Sequence, residues 1–156
     1  MAFVAAVRTA IRTGDRYRSY QTALKGSETN APEPVVDALL KAQREPPRDF
    51  ITQQGWVMLA LQNAFYHLLH SDTFEHAVIA TIRNGGDTDT NAAICGALFG
   101  ALQGRAAIPL QWRKMILSCH PMAGFPHIHQ PRPFAVWPVD AMILAEQSLL
   151  AGSGNL

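Results

Sequence analysis

Residues 84–104 read Asn84-Gly85-Gly86-Asp87-Thr88-Asp89-Thr90-Asn91-Ala92-Ala93-Ile94-Cys95-Gly96-Ala97-Leu98-Phe99-Gly100-Ala101-Leu102-Gln103-Gly104. Two carboxylates, Asp87 and Asp89, stand two apart on a loop hinged by Gly85 and Gly86, and the hydroxyls of Thr88 and Thr90 alternate with them. Helix packing does not call for so many hard oxygen donors in four positions, whereas magnesium or calcium does, because these cations take carboxylate, hydroxyl, carbonyl and water oxygens. The two glycines can adopt positive φ and aim Asp87 into a cavity. Asp89, Thr90 and Asn91 are all N-cap residues, which predicts a helix over about 92–102 whose start offers N–H groups to an anion.

Three other acidic or phosphate-binding loops do not fit. An EF-hand with Asp87, Asp89 and Asn91 at its first, third and fifth positions needs glycine and glutamate where this chain has Ala92 and Leu98. An aspartyl-phosphate site needs an apolar strand running into its aspartate, and Arg83, Asn84 and two glycines stand there instead. No Gly-Lys-Ser/Thr exists for a phosphate-cradling loop. The plain structural alternative is a glycine C-cap followed by an Asp or Thr N-cap.

Around this run the pattern is helical. Phe3, Val4, Val7 and Ile11 recur at three or four and mark a first helix ending at Gly14. Pro34 opens a helix through Leu40, and Pro46-Pro47 closes that stretch. Trp56 to His70 is apolar over more than half its circumference, which predicts a central buried helix. Asp72 and Glu75 are spaced as a capping box for a helix over 73–83. Small residues at Ala92, Gly96 and Gly100 suit close helix packing. Pro109 starts a helix through Cys119, a proline-rich loop runs from Pro121 to Pro133, and Pro138 opens a last helix through Leu150.

The run Gly85 to Ala93, with the small-residue helix after it, resembles the C-terminal metal motif of the ADP-ribosylglycohydrolase family. Gln54-Gly55-Trp56-Val57, then Leu61 to Phe65, and Arg132-Pro133 with the closing helix over 139–150 extend the likeness. The resemblance implies an all-α fold, a compact orthogonal helical bundle forming one domain over 1–156. It also implies a two-magnesium centre that hydrolyses ADP-ribosyl glycosidic bonds on a modified protein or small molecule. By resemblance Asp87, Asp89 and Thr90 are metal ligands, with Asp87 shared between the ions, and Gly55, Trp56, Gly85, Gly86 and Thr88 line the substrate site. For Trp56 a place in the core is an equal alternative.

The family's N-terminal motifs, Gly-Asp-x-x-Gly and Thr/Ser-Asp-Asp, are not found: Gly14-Asp15 is followed by Arg16-Tyr17-Arg18, and no Asp-Asp pair occurs. The chain therefore reads as the C-terminal half of the family domain, truncated at its N-terminus. Three or four oxygens fall short of the six that magnesium takes, and two-metal hydrolysis holds its ions about 4 Å apart. The expectation is one weakly held ion or none, and little turnover unless another subunit or a complementing N-terminal half supplies ligands. No catalytic acid or base can be named. The alternative function is an inactive helical module that binds ADP-ribose or a partner chain, itself included.

Composition sets outer bounds. The 156 residues are 48% apolar and 16% charged, with a net charge of +1, which gives no reason to propose a nucleic-acid partner. Cys95 and Cys119 are too few for a disulfide framework, and a reducing cytoplasm is expected. No apolar run reaches membrane-span length, and the arginines among the first twenty residues fit an amphipathic helix better than a transit peptide. His120, His127 and His129 form a weak zinc pattern, and His67 and His70 suit a core or boundary role. No Ser-His-Asp or Cys-His nucleophile set can be assembled.

Overall fold

The computed structural model describes residues 1–126 and 128–153; His127 of the histidine pattern and the last three residues lie outside the described residues. Every regular element described is helical. In order these are α1 (Ala2–Thr13), α2 (Arg16–Asn30), α3 (Glu33–Ala42), α4 (Val57–His70), α5 (Phe74–Arg83), α6 (Thr88–Gln103), α7 (Leu110–Leu117) and α8 (Ala141–Ser153), with short 3-10 turns at 105–107, 134–136 and 138–140. The chain forms two compact units, one through Ile108 with α1 to α6 and one from Pro109 with α7 and α8.

Local signals explain most boundaries of the first unit. Gly14 takes the left-handed conformation, φ +62°, and its N–H caps α1 through the Ala10 carbonyl. Asp15 then caps α2 by accepting the Arg18 N–H at 2.9 Å. The periodicity does not reveal α2, because that helix is polar over most of its length and buries only Ser19, Tyr20, Ala23, Leu24 and Ser27. Pro34 lies in the first turn of α3, which ends at Ala42, before the Pro46-Pro47 stop. The cap of α5 falls to Thr73, whose hydroxyl accepts the His76 N–H at 3.1 Å, rather than to Asp72.

The core is where α4 meets α2, α3, α5 and α6. Phe65, Leu68, Leu39, Leu98 and Phe99 are shut off from solvent. Tyr20 stands edge-on to Phe65 at 6.2 Å, and its hydroxyl donates to the Leu39 carbonyl at 3.0 Å while accepting from Gln43 Nε2 at 2.6 Å. That chain of bonds lets a tyrosine be buried without leaving its polar end unsatisfied. A second buried polar link runs from Asn63 Nδ2 on α4 to Thr81 Oγ1 on α5 at 2.9 Å. On α6, Gly96 and Gly100 lie over the Phe74 ring, so the small-residue spacing serves helix packing.

Along α1 the apolar stripe that marks the helix is not what it buries. Ala2, Ala6 and Ala10 face inward, toward α2 and α6, while Val4 and Ile11 stay in water. The helices approach closely over the alanines, Phe3 and Val7 are half-buried, and Val4 and Ile11 are turned out.

In the second unit no described residue is buried. The last helix starts at Ala141, after a 3-10 turn over Pro138–Asp140, three residues later than the proline suggests.

Candidate metal and substrate site

The two aspartates are positioned by the turn between α5 and α6. Gly85 and Gly86 both have positive φ, +77° and +68°. Gly86 also lies against the backbone of Phe50, so that a Cβ there would stand 1.8 Å from the Phe50 carbonyl oxygen. Gly85 is less tightly placed: its Cβ would meet the Ile51 side-chain end, Cδ1, at 3.0 Å. These contacts press the loop onto the 50–54 turn and set Asp87 at the N-cap position of α6. The helix begins at Thr88, four residues before the sequence places it, because the Gly-Gly bend has already turned the chain. Thr88, Asp89 and Thr90 form its first turn, with Asp87 and Thr88 half-buried and Asp89 and Thr90 exposed.

Two of the N–H groups expected to await an anion are already used: Thr88 N–H donates to the Gly86 carbonyl at 2.9 Å and Thr90 N–H to Asp89 Oδ1 at 3.0 Å, while Asn91 N–H makes the first ordinary helical bond, to the Asp87 carbonyl at 3.1 Å. The Asp89 carboxyl is held below its ordinary range, first by a hydrogen bond with the Asp87 side chain and then by the Thr90 N–H and its own. The oxygen chemistry of Asp87, Asp89 and Thr90 thus fits one side of a hard cation's shell. It does not fill the shell: among the described residues no cluster of three or more His, Cys, Asp or Glu forms that could hold a metal.

On the neighbouring 50–57 segment, Asp49 accepts the N–H groups of Ile51 and Thr52 and the Thr52 hydroxyl, which shapes a turn. Gly55 closes that turn at φ +81° with open space where a side chain would be, so the backbone conformation, and no neighbouring atom, calls for glycine there. Trp56 follows, and it is 53% exposed, which rules out the core reading. Its indole borders an open pocket of roughly 470 Å³ lined also by Lys41, Pro46, Arg48, Gln53 and Gln62. Asp87, Asp89 and Thr90 do not line this pocket. The acidic turn and the Trp56 pocket are neighbours through the Phe50–Gln54 turn, not one cavity. Lys41 is paired with Asp37 at 2.7 Å and Arg48 with Glu45, so the pocket offers an aromatic face and polar edges more than free positive charge.

Beneath the loop lies a polar layer that the sequence does not disclose. Asn91 is 4% exposed and its Nδ2 has no partner, and Asn63 Oδ1 is buried in the same state. One helical turn on, burial pushes the Cys95 thiol up to about 11, against a smaller opposing effect of its bond to Thr81, so it is an inert thiol. His67, on α4, is buried with Nδ1 bonded to Ser71 Oγ at 2.9 Å, and burial lowers it to about 4. These are structural groups, as expected for His67.

An all-helical fold with a Gly-Gly-Asp-Thr-Asp-Thr turn feeding a small-residue helix defines a known class. The ADP-ribosylglycohydrolase family matches residues 1–135, and the chain belongs to that family. It is 41% identical over 70 residues to a protein of Acanthamoeba polyphaga mimivirus provisionally named ADP-ribosyl glycohydrolase L543, a match covering 44% of this chain and 21% of that one. It is 35% identical over 83 residues to the ADP-ribosylarginine hydrolase Tri1 of Serratia proteamaculans (strain 568), covering 52% and 23%. It is 35% identical over 58 residues to the ADP-ribosyl-[dinitrogen reductase] glycohydrolase of Rhodospirillum rubrum, covering 37% and 20%. The matches thus span about a fifth of the length of these relatives. No solved structure matches the chain.

Proposed function

We propose that this chain carries the metal-binding C-terminal part of a magnesium-dependent hydrolase that removes ADP-ribose from modified proteins or small molecules. The observation that supports this most is the placing of Asp87 at the N-cap and Asp89 in the first turn of α6, on a loop that Gly86 clamps against Phe50. In the proposed site Asp87, Asp89 and the Thr90 hydroxyl would hold magnesium, two ions when the shell is complete, and the metal would supply Lewis acidity for polarising substrate and water oxygens. Gly85 and Gly86 would give the substrate-lining loop its bend, with Thr88 beside them, and Trp56, on the turn closed by Gly55, would offer its exposed indole to a flat base. Cleavage of a glycosidic bond passes through an oxocarbenium-like transition state; the two carboxylates contribute by fixing charge and geometry near it. No described residue stands as the acid or base, so those groups come from carboxylates of another segment or subunit.

A second reading keeps binding without turnover: a helical module that holds ADP-ribose or a partner chain. The shortage of metal-holding groups in the described residues favours it for the chain acting alone. The two readings separate in one assay series. Magnesium-dependent release of ADP-ribose from an ADP-ribosylated protein supports the hydrolase, and magnesium-dependent binding without release supports the module. If neither occurs, the metal site is not functional in this chain.

A further inference from the structure

The arginines near the start of the chain have no part in the metal site. Arg8, Arg12, Arg16, Arg18 and Lys25 against Asp15 give the first 25 residues a net charge of +4, in a chain whose total is +1. Arg16 is committed to the fold, its Nη1 donating to the Ser71 carbonyl at 2.9 Å. Arg8, Arg12 and Arg18 are exposed and make no ion pair among the described residues. On α1, Ala2, Ala6 and Ala10 form the buried side, which leaves Val4, Arg8, Ile11 and Arg12, at i, i+4, i+7 and i+8, on one outward stripe. Val4 and Ile11 are 68% and 57% exposed, and Tyr17, in the first turn of α2, is 66% exposed. No acid lies on α1.

We propose that this stripe is a docking surface for an acidic amphipathic helix of a partner protein. Charge complementarity selects the sign of the partner. Three unpaired guanidiniums share a patch with one acid, Asp15, whose carboxylate is taken by the Arg18 N–H at the start of α2. All three cations are arginine, whose planar fork holds a carboxylate through two parallel N–H···O bonds. Spacing selects the form of the partner. Val4 and Ile11 stand two turns, about 10 Å, apart along α1 with Arg8 between them. A helix with apolar residues seven apart and Glu or Asp on the turns between meets each of these groups. The same spacing disfavours the other anionic partners. A bilayer takes a helix whose apolar and basic sides are opposed, whereas here they alternate along one stripe and the opposite side is buried. A nucleic-acid backbone offers phosphates to the arginines and leaves Val4 and Ile11 in water. A few exposed ion pairs and two aliphatic contacts make a weak, transient contact.

The inference is independent of the metal site and is tested on the full chain by fluorescence anisotropy. The probe is a labelled helical peptide with leucines seven apart and glutamates on the turns between, set against a shuffled peptide of the same composition, phosphatidylserine vesicles and a DNA duplex. Saturable binding of the ordered peptide is expected, with a Kd of about 10–100 µM at low salt, unchanged by chelator and weakened by added salt. The double variant Arg8→Gln, Arg12→Gln is expected to weaken it about tenfold. Val4→Thr, Ile11→Thr, which keeps every charge, is expected to weaken it by a comparable factor. Wild-type circular dichroism is expected in both variants, because all four positions are exposed. Failure of the ordered peptide to saturate overturns the proposal. So do equal binding of the shuffled peptide, tighter binding of vesicles or duplex, and undiminished binding in either folded variant.

Discussion

Single atoms decide the behaviour of this chain at two residues. At Gly86 any Cβ meets the Phe50 carbonyl oxygen at 1.8 Å, and φ is +68°. Gly86→Ala is therefore predicted to cost at least about 2 kcal/mol, read as a lowered urea midpoint, and to abolish magnesium binding in whatever remains folded. Wild-type stability in that variant would contradict the clamp. At His67 the folded structure favours the neutral ring, lowered to about 4 from 6.5 chiefly by burial and secondarily by His76 and His70. The unfolded chain binds the proton first, so stability is complete above about pH 6.5 and falls as pH drops toward 4. The loss is roughly 3 kcal/mol over the whole window and about 2 by pH 5. Urea titrations at pH 7 and pH 5 measure it, and His67→Gln should remove most of the difference. Burial of this ring follows from the apolar pattern of α4, but its pairing with Ser71 one turn on becomes visible only when the helix end is placed.

Among the elements, the sequence discloses helices whose apolar side is large and hides those whose buried side is small or polar. The apolar repeat through Trp56 to His70 gives α4 to within a residue of its observed start. Helix α2 escapes because Tyr20 and Leu24 are its only large buried side chains. In α1 the readable stripe and the buried one differ, since contact with α2 and α6 favours alanine over valine. The start of α6 moves to Thr88 because the Gly85-Gly86 bend, a backbone event set by Phe50, outweighs the capping preference of Asp89, Thr90 and Asn91. The same helix gives a test of packing. A Cβ at Gly100 would meet Phe74 Cε2 at 4.0 Å, ordinary contact distance. Gly100→Ala is thus predicted to stabilise by about 0.5–1 kcal/mol through helix propensity, measured as a raised melting temperature. Destabilisation would mean that α5 and α6 pack more tightly than the structure shows.

For the whole molecule, the family was legible from nine residues, Gly85 to Ala93, because the hard-oxygen pattern and its glycine hinge are local in sequence. The rest of the site was not. Contact of Gly86 with Phe50 joins segments 36 positions apart, and the separation of the Trp56 pocket from the acidic turn depends on how the Phe50–Gly55 turn folds. At the expected anion-binding helix start, a carboxylate and a carbonyl of the same loop occupy the N–H groups of Thr90 and Thr88, a local detail that capping preference does not reveal. Asp87 and Asp89 remain the centre of the account, and calorimetric titration with ADP-ribose, in magnesium and in chelator, tests them most directly. Saturable binding that requires magnesium, and that is lost in Asp87→Asn while helical content is unchanged, is the expected result. Absence of binding in magnesium, or equal binding in chelator or in Asp87→Asn, would contradict it.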